Sequence, residues 1–310
     1  MRAVTQRSFG GPEVLEVTEL DRPQPLPSEV LVRVRASAVN PVDALIRSGA
    51  YGSLSQSPFV LGWDISGVVE EVVPGVNRFR PGDQVFGMPF FPRPAGGYAE
   101  YVAAPSRQLA RKPAGLDHEH AAALPLAGLT AWQSLVDVAG IRAGQRVLIH
   151  GGGGGVGHLA VQIARSFDAH VIATASASKH EFVRDLGADE VIDYRTTDFT
   201  DVVRDVDVVL ETVGGGYADR SLRSLRPGGL LITIVDRTDD ALRQRTEDAG
   251  MRFAGVTVEP DHVGLEALAA LVDSGRLRPT VEHVLALDEA TKAHQLIESG
   301  HTQGKIVLTV

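Results

Sequence analysis

The sequence has no cysteine among its 310 residues. This absence excludes a disulfide framework and metal sites built from thiolates, and it suits a reducing compartment. Basic residues are scarce relative to acidic ones, with 30 Lys and Arg against 39 Asp and Glu and a formal net charge of −9. This charge balance argues against nucleic acid or an anionic membrane surface as a partner.

Long apolar runs are also missing. The N-terminal stretch MRAVTQRSFGGPEVLEV lacks the apolar core of a signal peptide, and no uninterrupted apolar stretch is long enough to span a bilayer. The sequence therefore predicts a cytoplasmic protein with no membrane or nucleic-acid partner. Its length exceeds that of a typical single hydrophobic core, which predicts two domains.

The pattern of apolar residues changes near Asp117. Before this point apolar runs are short and turn signals are frequent; EVLVRVRASAV (29–39) alternates as a strand with one buried face does. This part is predicted to be mainly antiparallel β-structure. At the change, Asp117 is predicted to cap a helix that Pro125 interrupts.

Strands and helices alternate in the following part of the chain. Strands are predicted at residues 146–150, 170–174, 190–193, 207–211, 229–235 and 251–258. Such alternation is typical of a doubly wound parallel sheet and predicts an α/β protein. The terminal GKIVLTV is predicted to be a strand that returns to the sheet of the first domain. The predicted domains are 1–116 together with 275–310, and 117–274.

A glycine-rich stretch, VLIHGGGGGVGHLAVQIAR, lies between a predicted strand and a predicted amphipathic helix. A slack linker would not be bounded so closely by two periodic segments. Gly152, Gly154 and Gly157 satisfy the pattern G-x-G-x-x-G. In that pattern the first glycine permits a tight turn, the second admits a pyrophosphate and the third lets the helix pack closely on the strand. The helix N-terminus favours the anion. The stretch therefore predicts a dinucleotide-binding loop.

The other positions of this loop carry two further expectations. Gly155 and Val156 are expected to contact the dinucleotide together with the three patterned glycines. Gly151, Gly153 and Gly155 are expected to make the loop looser than the turn itself requires.

The residues at the end of the predicted strand 170–174 distinguish an NAD site from an NADP site. An NAD site usually has Asp or Glu there to accept hydrogen bonds from the ribose 2′-OH. This chain instead has Thr174, Ser176 and Lys179, and hydroxyls with a cation suit a 2′-phosphate that an acid would repel. Tyr194 is expected to lie along the adenosine or to bond the same phosphate. A lone Lys is usually a solvated residue of a helix, but with the acid missing the pattern predicts NADPH.

The order of motifs resembles that of the medium-chain dehydrogenase/reductase superfamily, and within it the zinc-independent quinone oxidoreductase branch. The motifs that carry the resemblance are NPVDALIRSGAY, PGDQVFG, GGYAEYV, LPLAGLTAW, the glycine loop, ETVGG, RPGG and the terminal GKIVL. The resemblance implies a GroES-like β-barrel domain, formed by both chain ends, with an inserted Rossmann domain. It also implies a cleft between the domains for the chemistry and a homo-oligomer, which we expect to be a homodimer.

Zinc-dependent relatives bind a catalytic metal through Cys, a His-Glu pair and a further Cys or acid. In this chain the first position falls in NPVD and the His-Glu position in Trp63-Asp64, so no zinc site is expected. The cluster His118-Glu119-His120 is the other candidate for a metal site. Residues i and i+2 of a helix point apart, so we interpret this cluster as the polar first turn of a helix.

Three residues of the NPVDALIRSGAY segment are candidate catalytic groups. Asn40 is expected to lie beside the nicotinamide or the acceptor carbonyl. Asp43 is either a direct participant or an ion pair or turn cap. Tyr51 either bonds a substrate oxygen and delivers a proton, or is only an aromatic residue of a loop.

The resemblance also implies contacts further along the chain. Thr130 either corresponds to the family threonine near the nicotinamide or its phosphate, or its hydroxyl bonds to the backbone of its own helix. Val213 is expected to line the nicotinamide ribose, and the backbone of Ile234 and Val235 to lie near the carboxamide. The substrate is expected to meet Tyr51, Trp63, Phe90, Phe91 and the segment 52–57.

Together these features predict an NADPH-dependent, zinc-independent oxidoreductase. Hydride transfer to a quinone or an activated C=C bond needs less activation than alcohol oxidation, and so it fits a site without a metal. Two alternatives stay open. One is a non-catalytic NADPH-binding structural or sensor protein; the weaker one is a methyltransferase whose glycine loop binds an adenosyl cofactor.

Overall fold

The computed structural model describes residues 1–51 and 59–310. The strands are β1 (Arg2–Gln6), β2 (Glu16–Glu19), β3 (Glu29–Val39), β4 (Phe59–Val60), β5 (Asp64–Val72), β6 (Gln84–Gly87), β7 (Tyr101–Pro105), β8 (Leu109–Arg111), β9 (Arg146–Ile149), β10 (His170–Ala175), β11 (Glu190–Asp193), β12 (Val206–Glu211), β13 (Leu225–Thr233), β14 (Arg252–Gly255), β15 (Val281–Ala286) and β16 (Lys305–Thr309).

Helices connect many of these strands. They are α1 (Pro41–Ser48), α2 (His118–Ala122), α3 (Pro125–Trp132), α4 (Gly157–Ser166), α5 (His180–Asp185), α6 (Phe199–Val202), α7 (Tyr217–Ser221), α8 (Asp240–Asp248), α9 (His262–Asp273) and α10 (Ala290–Glu298). Within residues 1–51 and 59–310, no helix is both long and apolar enough to cross a membrane.

The chain forms two compact units. The first contains Met1–Leu129, Glu259–Gly275 and Pro279–Val310, and the second contains Thr130–Val258 and Arg276–Arg278. The sequence-based boundaries at 116/117 and 274/275 are drawn from motifs rather than from contacts, and they stay a prediction.

The first unit is built mainly from antiparallel strands, as predicted. One sheet has the order β2-β1-β4, and a larger one has the order β15-β16-β3-β5-β6-β8 with β7 also paired to β3. Strand β16 pairs with β3 in an antiparallel register, for example Ile306 with Val39. The prediction that the chain end returns to the first domain's sheet is therefore confirmed. Its core is a cluster of apolar side chains that includes Val32, Ile65 and Val85.

Local signals explain the helices that lead into the second unit. The Asp117 carboxylate accepts the backbone N–H of His120 at 2.8 Å, which confirms the predicted cap of α2. Helix α2 ends at Ala122, and α3 starts at Pro125, because a proline has no N–H and is tolerated only in a first helical turn.

The second unit contains one parallel sheet with the order β11-β10-β9-β12-β13-β14. All neighbouring pairs are parallel, which confirms the doubly wound α/β prediction. The chain order reverses between β9 and β12, and such a switch point is where α/β sheets bind ligands at the carboxyl ends of their strands. A ligand is therefore expected to bind at the loops that follow β9 and β12.

The predicted strands 229–235 and 251–258 extend beyond the carboxyl ends of β13 and β14. Pairing in β13 ends at Thr233, opposite Glu211 of β12 and Gly255 of β14. Ile234 and Val235 therefore lie in the loop after the strand, not within the predicted strand 229–235. Strand β14 has a single partner, so it ends at Gly255 where β13 ends, and the predicted strand 251–258 is too long for the same reason.

Candidate active site

The glycine loop, Gly151–Gly157, occupies the turn between β9 and α4. Gly151 has a φ of +66°, and a Cβ there would lie 3.0 Å from the Thr212 Oγ1. The backbone N–H of Gly154 closes a tight turn on the carbonyl of Gly151 at 2.9 Å. The expectation that Gly151 merely loosens the loop is therefore wrong, because its left-handed backbone favours glycine and builds the turn.

Two glycines of the pattern are required by close packing. A Cβ at Gly157 would lie 2.1 Å from the Gly151 carbonyl oxygen and 2.9 Å from the Cα of Gly152. A Cβ at Gly152 would lie 2.8 Å from the Cβ of Ala173 on β10. Helix α4 therefore starts directly against the loop, which fits the role predicted for the third glycine.

The start of α4 fits an anion. Val156 is the N-cap residue of α4, and Gly154 and Gly155 precede it. The first N–H groups of a helix have no partner within it, and the helix dipole is positive at that end. The residues present thus fit a dinucleotide pyrophosphate. The assignment of Gly155 and Val156 as contacts stays a prediction.

Thr174, at the end of β10, supports the loop from the side. Its hydroxyl lies 3.2 Å from the Gly151 nitrogen and 3.2 Å from the Nδ1 of His150, and the side chain is 1% exposed. This hydroxyl therefore bonds to the loop and to His150. The expected contact with a 2′-phosphate stays a prediction.

The residues that follow β10 place a cation beside the loop. Lys179 ends the turn after β10, and its Cδ would lie 2.8 Å from a Cβ at Gly153. Ser176 is nearly buried, with its hydroxyl 3.1 Å from that of Ser178. The cation expected near a 2′-phosphate therefore packs on the glycine loop itself.

Tyr194 follows β11, the strand beside β10. Ala175 of β10 pairs with Asp193 of β11, so Tyr194 and Ser176 are the next residues on the two neighbouring strands. The Tyr194 side chain is exposed. The guanidinium of Arg195 lies 5.7 Å from the centre of this ring. Sequence analysis did not single out Arg195, because one exposed arginine after a strand is an ordinary solvated residue.

Glu211 shapes the loops on the other side of the switch point. Its carboxylate, at the end of β12, accepts the N–H groups of Val213 at 2.5 Å and Gly214 at 2.7 Å. Its second oxygen accepts the hydroxyl of Thr233 at 3.1 Å. Glu211 is fully buried, so it fixes the loop after β12 to the end of β13.

The apolar side chains predicted to contact the nicotinamide lie on these two loops. Val213 is 49% exposed and Val235 is 44% exposed, whereas Ile234 is half-buried. A Cβ at Gly214 would lie 3.0 Å from Val235, so the two loops are neighbours. Two exposed valines at adjacent strand ends provide an apolar wall of the kind a ligand covers. Their assignment to the cofactor stays a prediction.

Thr130 lies within α3 and is 4% exposed. Its role beside a nicotinamide stays a prediction from the resemblance.

A buried polar cluster in the first unit contains Asn40, Asp43, Asp64, Tyr98 and Lys305. Asn40 caps α1, and its backbone N–H donates to the Asp43 carboxylate at 2.6 Å. The Tyr98 hydroxyl donates to the same carboxylate oxygen at 3.0 Å. Asp43 is therefore a cap and a buried acceptor, as the alternative reading of this residue proposed.

Lys305 and Asp64 complete this cluster from distant parts of the chain. The Lys305 ammonium donates to the Asn40 side-chain carbonyl and lies 3.4 Å from an Asp64 oxygen. The Asn40 amide donates to Asp64 at 2.9 Å, and the backbone N–H of Leu126 donates to Asp64 at 2.6 Å. The bonds that Asn40 makes orient its amide, while its contact with a nicotinamide or a carbonyl stays a prediction. Sequence analysis did not single out Lys305, and the signal that could have found it is a lone Lys in the otherwise apolar strand KIVL.

A second set of polar side chains continues the cluster. His294 lies 3.4 Å from the Tyr98 hydroxyl and 3.0 Å from the Arg47 guanidinium, which bonds to Glu298 at 2.5 Å. Burial, and then the charge of Arg47, lower the pKa of His294 to about 3. His294 is therefore neutral, and Arg47 is the cation of this set.

Burial dominates the titration of the cluster's acids. It raises the pKa of Asp43 to about 7 and also raises that of Asp64, while Lys305 opposes the shift at both. One Asp43 oxygen has no hydrogen-bond partner among the described residues, so no donor offsets the effect of burial at that oxygen.

We expect Asp43→Asn to remove part of the pH dependence of stability. The folded-state pKa of Asp43 lies above its ordinary value near 3.8, so the stability it contributes is present below that value and is lost as the pH rises through about 7. The wild type should lose roughly 4 kcal/mol relative to the variant across this window. Urea unfolding at about pH 4 and about pH 8 measures it. The exposed Asp288→Asn is the control. The same change of unfolding free energy with pH in wild type and in D43N would contradict the assignment.

Asn40 and Asp64 stand at positions where zinc-dependent relatives have metal ligands. The Asp64 carboxylate accepts three donors, one of them an ammonium, and Asn40 supplies a neutral amide, which is not among the Cys, His, Asp and Glu side chains that bind zinc. Among residues 1–51 and 59–310, no group of three His, Asp or Glu side chains could hold a metal ion. His118 bonds to the Ser66 hydroxyl at 2.8 Å and His120 to Asp117 at 2.7 Å, so the two histidines have separate partners.

The aromatic residues expected to line a substrate pocket are not equivalent. Trp63 is 2% exposed, bonds to the Arg93 carbonyl at 2.8 Å and packs edge-on against Phe91. Trp63 and Phe91 are therefore mainly core residues, while Phe90 and Tyr51 are half-buried. The segment 52–57 lies outside the described residues, and Tyr51 as a proton donor stays a prediction.

Comparison with known proteins covers the whole chain. Residues 26–114 match the alcohol dehydrogenase GroES-like domain family and residues 186–308 match the zinc-binding dehydrogenase family. The mitochondrial NAD(P)H oxidoreductase RTN4IP1 of Danio rerio is 34% identical, over 92% of this chain and 84% of the relative. The quinone oxidoreductase structure from Coxiella burnetii is 35% identical with a TM-score of 0.95, covering 100% and 99% of the two chains. That of Escherichia coli quinone oxidoreductase complexed with NADPH is 28% identical with a TM-score of 0.91 and covers 100% of both.

Proposed function

Because the chain belongs to the medium-chain dehydrogenase/reductase superfamily, we propose that it is an NADPH-dependent oxidoreductase that transfers a hydride to a quinone or an activated C=C bond without zinc. The GroES-like and Rossmann folds of the family are present in this chain. The observation that carries the proposal is the glycine loop. Gly157, the first residue of α4, packs directly on Gly151, so α4 begins beside the switch point between β9 and β12.

The proposal assigns each part of NADPH to residues at this edge of the sheet. NADPH, when bound, supplies the hydride. The glycine loop and the start of α4 hold the pyrophosphate, and Lys179 faces the 2′-phosphate. Val213 and Val235 cover the nicotinamide end and exclude water, while Glu211 keeps their loops in place.

The residues of the first unit support the choice of acceptor. At two positions where zinc-dependent relatives have metal ligands, this chain has Asn40 and Asp64, whose buried side chains bond to each other. An amide and a carboxyl group do not lower the pKa of an alcohol as zinc does. A quinone or an enone is already electrophilic, so it fits this set better than an alcohol.

We expect Lys179→Ala to weaken NADPH binding by about 10- to 100-fold, the usual worth of a charge-assisted hydrogen bond, and to change NADH binding by less than about twofold. Fluorescence titration with each dinucleotide measures the two dissociation constants. Lys292→Ala removes an exposed cation from α10 in the first unit and serves as the control. An unchanged ratio of the two constants would remove Lys179 from the 2′-phosphate site.

The reaction itself is tested by following NADPH oxidation with a panel of quinones, alkenals and cyclic enones. Turnover with one of these classes and not with simple ketones or alcohols is the expected result, and it should persist in the presence of a metal chelator. NADPH binding without turnover of any acceptor would favour the non-catalytic alternative, and binding of S-adenosylmethionine would revive the methyltransferase reading.

Oligomeric state and location belong to the same proposal. We propose a homodimer in the cytoplasm, although the relative from Danio rerio is named mitochondrial. Light scattering of the purified protein measures the mass directly.

A further inference from the structure

A chain of hydrogen bonds runs through the buried imidazole of His150, the residue before the glycine loop. The His150 Nδ1 lies 3.2 Å from the Thr174 hydroxyl, which itself lies 3.2 Å from the Gly151 nitrogen. The His150 Nε2 lies 2.9 Å from the Ser221 hydroxyl on α7, and that hydroxyl donates to the Tyr217 carbonyl at 2.7 Å. The loop after β9, the end of β10 and helix α7 are thus joined through one side chain.

The direction of every bond in this chain follows from counting protons. Ser221 has one hydroxyl proton and gives it to Tyr217, so its oxygen accepts from His150, which places the imidazole proton on Nε2. Nδ1 is then an acceptor and takes the Thr174 proton. The Thr174 oxygen is left to accept the N–H of Gly151.

The surroundings of His150 keep it in this state. The ring is fully buried and packs edge-on against Phe199 at 4.6 Å and Tyr217 at 5.1 Å between ring centres. Burial, and to a lesser extent the charge of Arg220, lower the pKa of His150 to about 3, so the ring is neutral. A neutral ring has one donor and one acceptor, and both are used.

A second bond fixes the backbone at the same point. The Thr212 hydroxyl, in the loop after β12, donates to the His150 carbonyl at 2.8 Å. His150 is therefore tied by its side chain to β10 and α7 and by its backbone to the loop that carries Val213.

We propose that His150 is a positioning residue for the dinucleotide site, whose Nε2–H tautomer fixes the Thr174 hydroxyl and, through it, the Gly151 N–H in the shape that receives the pyrophosphate. This inference rests on the proposed function for the identity of the ligand, but the tautomer itself does not. A preformed loop binds more tightly because less ordering is left to the ligand. The helix α7 thereby affects the phosphate loop from the far side of the imidazole.

Ser221→Ala tests the chain without changing a residue of the loop. Removing Ser221, the acceptor that the described residues provide for Nε2–H, should move the proton to Nδ1, and Thr174 then loses its fixed acceptor. We expect NADPH binding to weaken by about tenfold, the effect of one buried hydrogen bond expressed as a dissociation constant. The matched control is Ser224→Ala, because Ser224 is as buried but its hydroxyl has no hydrogen-bond partner among the described residues.

Nitrogen NMR of the imidazoles reads the tautomer in the cofactor-free protein. The expected result is a protonated Nε2 and an unprotonated Nδ1 in wild type and S224A, with the proton moved in S221A. An Nδ1–H tautomer in wild type would overturn the chain, and so would an S221A variant that only lowers the melting temperature and binds NADPH as S224A does.

A second variant and the binding behaviour of the wild type complete the test. Should S221A not fold, Ser221→Cys keeps the volume, offers sulfur as a weaker acceptor and should weaken NADPH binding in the same direction; unchanged binding would overturn the proposal. A wild type that binds no NADPH would contradict the proposed function. The tautomer of His150 measured by NMR would still test the hydrogen-bond chain.

Discussion

Gly157→Ala is expected to weaken NADPH binding by about 10- to 100-fold, which corresponds to ~1.4–2.8 kcal/mol of binding free energy. The added Cβ would lie 2.1 Å from the Gly151 carbonyl oxygen, which is backbone and cannot rotate away. Helix α4 must then move off the loop, and its N–H groups no longer converge on the pyrophosphate. Fluorescence titration measures the dissociation constant.

A graded series of variants separates this effect from a general loss of stability. A Cβ at Gly154 would lie 3.3 Å from the Gly151 oxygen, so Gly154→Ala should leave α4 in place and weaken binding only by reducing the approach of the pyrophosphate expected there. The exposed Gly115 has nothing within 4 Å of an added Cβ, and Gly115→Ala is the control. Binding by G157A equal to that of G115A would show that α4 does not depend on this contact.

Lys305→Met is expected to destabilise the first unit by about 3–5 kcal/mol, the usual result of removing one partner of a buried ion pair. Asp64 is fully buried, and of its donors among the described residues it would keep the amide of Asn40 and the backbone N–H of Leu126. The side-chain carbonyl of Asn40 would lose its donor as well. Urea unfolding measures the free energy, and an exposed lysine variant, Lys292→Met, is the control.

The tryptophans allow the first unit to be followed alone. Trp63 is buried in the first unit and Trp132 belongs to the second, so a Trp132→Phe background reports the unit that contains Lys305. The loss should shrink toward low pH, because burial already raises the pKa of Asp64 and removal of the ammonium raises it further. The double variant K305M/D64N should be more stable than K305M alone; additive losses would mean that the two side chains do not interact.

Local patterns predicted the parts of this protein whose contacts are short in sequence. The tight turn of the glycine loop joins Gly151 to Gly154, and the cap of α2 joins Asp117 to His120, so both follow from a few consecutive residues. The parallel sheet follows from the alternation of strands and helices. Strand ends were predicted less well, as at Val235, because pairing stops where the neighbouring strand stops and that is a property of the sheet.

Roles of single side chains depended on partners far along the chain. Thr174 was selected as a phosphate ligand because of its position at the end of a strand, and the structure shows its hydroxyl bonded to His150 and Gly151. Asp43 was given two alternative roles, and its burial beside Tyr98 supports the structural one. Sequence position indicates where a polar group lies, whereas the hydrogen bonds it makes depend on what packs against it.

The sequence by itself determined where a dinucleotide is expected to bind, because a strand, a glycine turn and a helix are neighbours along the chain. It also determined that no thiolate metal site exists, since cysteine is absent. Only the tertiary structure brought Lys305 to Asp64 across 241 residues and Ser221 to His150 across 71. Buried polar groups must find partners wherever folding places them, and no local pattern encodes that choice.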